Sequence, residues 1–140
     1  MDIRFFFTDA DISLTDRTKL KQFIAGIFKK EKRTALSLTY VFCSDEYLLD
    51  INKQFLQHDY YTDIITFDLS ATKSVVEGEV YISVDRVRDN AKQHHTTNKN
   101  ELHRVIFHGV LHLCGYKDKT PKDEKAMRAA EEKYLTLYFK

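Results

Sequence analysis

Between Val105 and Cys114 the sequence reads VIFHGVLHLC, ten residues in which only His108 and His112 carry polar side chains. A helix that is apolar around its whole circumference is a buried helix, so the rest of the chain must be built around this one. An imidazole in such surroundings brings two ring nitrogens, and burying them without partners is costly. The run therefore demands partners for both histidines. Their spacing is i, i+4, which at 3.6 residues per turn separates the two directions by about 40°. Both rings project from one face, about one turn apart. That is the geometry of two ligands to a single metal ion, as in the zinc motif HExxH. Hydrogen bonds to two backbone carbonyls are the alternative.

The flanking residues favour the metal. Gly109, beside His108, lets a neighbouring backbone or a substrate approach closely. Gly115 suits a left-handed helix end three residues after His112, where the chain reverses. Asp118 then stands where it can return a third ligand, and a carboxylate is an acceptable one for zinc. Two histidines and a carboxylate leave a coordination position open for an activated water, the pattern of a catalytic site. The glutamate that serves HExxH as general base is missing, because Gly109 occupies its position. The catalytic base stays unassigned, and a peptidase reading is weakened. His103 lies off the ligand face, His94 and His95 fall near a helix end, and Cys114 points away from His112.

Periodicity places the remaining elements. Residues 3–8 (IRFFFT) and 36–43 (LSLTYVFC) have strand composition. Leu20, Phe23, Ile24, Ile27 and Phe28 give residues 16–32 helical spacing, with Asp16 as N-cap. Ser44 caps a further helix, and Asp45 and Glu46 in its first turn favour the dipole. Residues 62–69 and 78–83 read as strands joined by the loop SATKSVVE, and residues 84–95 read as a helix. Asn98 and Glu101 have the spacing of a capping box opening the histidine helix. Thr120 and Pro121 open a last helix, which runs to about Tyr138. The expectation is one α+β domain over residues 1–140, a small mixed sheet of about four strands packed by helices.

Composition excludes several classes. A single Pro and four Gly exclude a low-complexity chain. Cys43 and Cys114 sit in apolar runs, so reduced, packed thiols are expected. The start MDIRFFFTDAD lacks the basic and apolar regions of a signal peptide, and no apolar stretch is long enough to span a membrane; a cytoplasmic location is expected. A net charge of +1 excludes binding to nucleic acid by overall charge. Any such binding must use grouped cations, for which KKEKR at residues 29–33 is one candidate.

HGVLHLCGY closely resembles the HGxLHLxGYDH signature of the YbeY family of rRNA-maturation endoribonucleases. INKQFLQHDYYTDIITFD (51–68) and GEVYISVDRVRDNA (78–91) are similar to two further family segments, in the same order. The resemblance implies a zinc-dependent, single-strand-specific endoribonuclease with a zincin-like metal helix. It implies action on the 3′ end of small-subunit rRNA and in ribosome quality control, with the small ribosomal subunit as partner. One zinc ion is expected on His108, His112 and Asp118; a monomer is also expected. Asp118 stands where the family has its third histidine, so another divalent metal is open, since carboxylate oxygen is a harder ligand. Lys117 replaces a family aspartate and Leu56 a family arginine. Leucine cannot pair with phosphate, so phosphate contact is expected from Lys53 or Lys117, in a groove that also holds Asp63 and Thr66. The alternatives are a ribosome-assembly factor that binds without cutting and a metal hydrolase of another substrate.

Overall fold

The computed structural model describes residues 1–140. Its elements are β1 (Asp2–Phe7), α1 (Arg17–Lys30), β2 (Thr34–Cys43), α2 (Asp45–Leu56), β3 (Ile64–Asp68), β4 (Val75–Ser83), α3 (Val84–Gln93), α4 (Asn98–Leu113) and α5 (Pro121–Tyr138). The strands form one mixed sheet in the order β1-β2-β4-β3. β1, β2 and β4 run parallel, and β3 pairs antiparallel with β4 at the edge. No helix is long and apolar enough to cross a membrane.

Strand side chains alternate between the two faces, and the two faces meet different helices. Leu38, Tyr40, Phe42, Val80 and Ile82 join the main core with Ile106, Phe107 and Val110 of α4. The Tyr40 hydroxyl donates to the Ile106 carbonyl at 2.8 Å, which ties α4 to the central strand. On the other face Ile65, Phe67 and Tyr81 pack with Leu48 and Ile51 of α2. At Gly109 the missing side chain lets α4 pack closely on the sheet. A Cβ there would stand 3.0 Å from Val80 Cγ1 and 3.3 Å from Ile64 Cδ1. The close neighbours of Gly109 are thus sheet side chains rather than a backbone or a substrate.

The caps hold α2, α3 and α5 where local chemistry suggests. Ser44, Ser83 and Thr120 accept from the backbone N–H groups of Tyr47, Arg86 and Asp123. Three details depart from expectation. Asp16 occupies the N-cap position of α1 but is left-handed and makes no side-chain cap bond. Thr97, not Asn98, caps α4, and the Glu101 side chain is not part of a capping box. β4 begins three residues before the expected Gly78, because Val75 and Val76 pair with Thr34 and Ala35.

Candidate metal centre

α4 ends in two bonds that set the position of everything after it. Gly115 takes φ 104°, its N–H donates to the His112 carbonyl, and the Tyr116 N–H donates to the Leu111 carbonyl, both at 3.0 Å. This is a Schellman closure, and it needs a residue at ease with positive φ. The chain turns back and places Asp118 beside both histidines. Asp118 Oδ2 lies 3.3 Å from His112 Nε2 and 3.4 Å from His108 Nε2. One ligand atom from each of the three residues falls within 4.8 Å of the others.

This donor set fits a divalent cation. Ligands at about 2.0–2.1 Å in a tetrahedron stand about 3.3–3.4 Å apart, matching both imidazole–carboxylate distances. Two nitrogens and one oxygen suit zinc or a neighbouring transition metal. Their accessibility fits as well. The His108 and His112 side chains are 18% and 32% exposed, so the rings are half-buried at an opening rather than enclosed as the apolar run suggested. They face a cleft of about 370 Å³ whose walls include Asp63, Thr66 and Asp68.

One residue that orients the cluster lies outside the sequence motif, on α5. His108 Nδ1–H donates to Glu131 Oε2 at 2.7 Å, which leaves Nε2 as the nitrogen facing Asp118. Metal-bound histidines are commonly fixed by such a carboxylate on the second ring nitrogen. Glu131 is only 5% exposed and also accepts from Arg104 Nη1 at 3.2 Å. Its signal in the sequence is a carboxylate within the apolar stripe Met127, Ala130, Tyr134, Leu135 and Tyr138 of α5. Burial by itself pulls the His108 imidazole down. The bond and charge of Glu131, with the charges of Asp118 and Asp63, outweigh that and leave its pKa raised.

Of the expected groove residues, the structure brings Asp63 and Thr66 to the cleft wall and leaves Lys53 and Lys117 off it. Asp63 Oδ2 accepts from Asn90 Nδ2 at 3.3 Å. Burial pushes the Asp63 carboxyl up, only partly offset by the His108 charge. A carboxyl whose pKa is raised by burial on a cleft wall is the kind of group that can carry protons in catalysis. Thr66 Oγ1 is buried and has no partner. Lys53 of α2 pairs with Asp59, beyond the helix end, at 3.5 Å, and Lys117 is exposed on the segment after α4. Leu56, the last residue of α2, is 41% exposed and also off the cleft wall. Both cysteines are free and buried, and Cys114 is not among the residues whose ligand atoms converge.

A family model described as Endoribonuclease YbeY matches residues 6–138. The chain belongs to this family. A protein named Endoribonuclease YbeY from Cytophaga hutchinsonii is 55% identical over 135 residues, covering 96% of this chain and 94% of its own length. Another of that name, from Porphyromonas gingivalis, is 47% identical over 135 residues, covering 96% of this chain and 89% of its own. The solution structure of TM1509 from Thermotoga maritima superposes with a TM-score of 0.67 at 29% identity, covering 98% of this chain and 89% of that one. The YbeY resemblance seen in three motifs thus extends over nearly the whole length.

Proposed function

We propose that residues 1–140 act as one domain, a metal-dependent endoribonuclease that cuts single-stranded RNA during rRNA maturation in the cytoplasm. Processing near the 3′ end of small-subunit rRNA and ribosome quality control are its proposed settings, with the small ribosomal subunit as partner and the protein a monomer. The observation that carries this reading is the convergence of His108, His112 and Asp118 at an open cleft in a chain of the YbeY family. Bound there, a zinc ion, or another divalent cation, would polarise a phosphoryl oxygen and lower the pKa of water. The protein's own residues do the rest. Glu131 holds the His108 ring in one tautomer, and the Gly115 turn holds Asp118 against both rings. Asp63 stands on the wall as the proton carrier, fixed by Asn90.

The walls of this cleft carry carboxylates and neither Lys nor Arg. That favours one rival, an assembly factor that binds pre-ribosomes without cutting. Single-stranded rRNA incubated with the protein, then with chelator, then with metal restored, separates the two. Cleavage that stops and returns is the expected result. Ribosome co-sedimentation without any cleavage would establish the rival.

A further inference from the structure

A phosphodiester carries negative charge, and the cleft walls present Asp63, Asp68 and Asp118 to it. The cations stand just outside. On the His112 side the cleft continues into a groove of about 580 Å³, which shares Asp68, His112 and Leu113 with it and adds Arg33 and Lys73. On the opposite side it continues into a groove of about 510 Å³, which shares His108 and Asp118 and adds Lys125 and Arg128. The two grooves have no wall residue in common, so the metal cluster lies between them. None of these four cations is held in an ion pair.

Arg33 is the best placed of the four. It is the last residue of the KKEKR run, and its position follows from the end of α1. Lys32 takes φ 59°, and the Arg33 N–H then donates to the Phe28 carbonyl at 2.8 Å. Its Nη2 reaches the C-terminal turn of α4, 2.9 Å from where a Cβ on Gly115 would stand. A cation is favoured at that end of a helix. Arg33 therefore sits on the turn that carries Asp118 back to the cluster. Its fork of donors can pair with phosphate bidentately, which Leu56 cannot do.

We infer that one RNA strand lies across the cluster, with Arg33 and Lys73 holding its phosphates on one side and Lys125 and Arg128 holding them on the other. This rests on the endoribonuclease reading above and adds its substrate track. A track open at both ends takes internal bonds, so chain extending both ways from the cut is part of recognition. The four residues position substrate and do not touch the reacting atoms.

The test measures binding of a short labelled single-stranded RNA across a salt series in chelator, and cleavage kinetics with metal. The variants are Arg33→Ala/Lys73→Ala, Lys125→Ala/Arg128→Ala and a charge-matched control, Lys21→Ala/Lys99→Ala. All six positions are exposed, and circular dichroism checks that each variant folds. Each track pair should raise Kd about tenfold and flatten the salt slope by about 1.4, at about 0.7 per single-strand phosphate contact. KM should rise with kcat retained, and the control should match the unmodified protein. Unchanged Kd and slope in both track variants, or an equal loss in the control, would overturn the track while leaving the nuclease reading intact. An unmodified protein that neither binds nor cuts RNA would overturn the nuclease reading itself.

Discussion

α4 holds three histidines, and its two halves treat them in opposite ways. His103, in the N-terminal half, is 2% exposed. Its Nδ1 bonds the Lys99 carbonyl at 2.7 Å, its ring stacks on Tyr138, and its Nε2 has no partner. His108, five residues on, has a carboxylate on Nδ1 and a second one facing Nε2 at an open cleft. Burial lowers the pKa of His103, whereas at His108 the carboxylates overcome burial and raise it. The glutamates divide in the same way. Glu101 is buried 3.6 Å from Arg104 and 3.8 Å from His94 and serves no ring of α4, while Glu131 orients His108. Residue type alone is not enough to make a ligand. A carboxylate facing Nε2 at an open cleft, which His108 and His112 share in Asp118 and His103 lacks, makes the difference.

The largest effect that can break this comparison is on activity. His112→Ala should lower RNA cleavage by more than about a thousandfold, as loss of a group essential to the chemistry does. His103→Ala should leave cleavage per folded molecule unchanged while costing about 2–4 kcal/mol of stability, as truncating a packed ring does. Activity assays beside urea unfolding would show both. Loss of cleavage in a well-folded His103→Ala protein would erase the distinction between the halves.

A middle-sized effect concerns Glu131. Glu131→Gln keeps the size but removes the charge behind His108, and metal affinity should fall about 10–100-fold. Competition with a chromophoric chelator measures it. Glu101→Gln should leave metal affinity as it was.

The pH dependence of the metal-free protein sharpens the contrast further, because the two rings carry opposite signs. The folded pKa of His108 is raised. Its stabilising contribution is complete below the ordinary histidine pKa of about 6.5 and is lost as pH rises through the raised value. The folded pKa of His103 is lowered. The unfolded chain protonates that ring first, so stability is lost as pH falls below about 6.5 toward the lowered value. NMR titration of the imidazoles should place His108 above the ordinary value and His103 below it.

The smallest effect is at the turn. Gly115→Ala keeps the ligands but puts a Cβ at φ 104° and 2.9 Å from Arg33 Nη2. It should cost about 1–2 kcal/mol and weaken metal binding through Asp118. Thermal unfolding with and without metal reports both.

Most of the architecture was legible because it is encoded locally. The period of α4, the Ser44 and Thr120 caps and the Gly115 stop each depend on residues within a few positions, and each is where the sequence puts it. What failed depends on distant partners. Val75 and Val76 become strand only because β2 lies beside them. Asn98 and Thr97 compete as caps one residue apart, and composition does not separate them. In the site, His108, His112 and Asp118 were readable from spacing and the turn. Glu131 was not, because its role exists only where α5 packs on α4. Lys53 and Lys117 stand out in the sequence by their charge, and charge does not say which way a surface faces.

The most direct test of two imidazoles and one carboxylate sharing a cation is elemental analysis of the purified protein beside Asp118→Ala, each at equal protein concentration after dialysis. One equivalent of a divalent transition metal in the unmodified protein, sharply reduced in Asp118→Ala, is the result expected. Metal-free protein that takes up none on titration, or Asp118→Ala retaining the full equivalent, would contradict it.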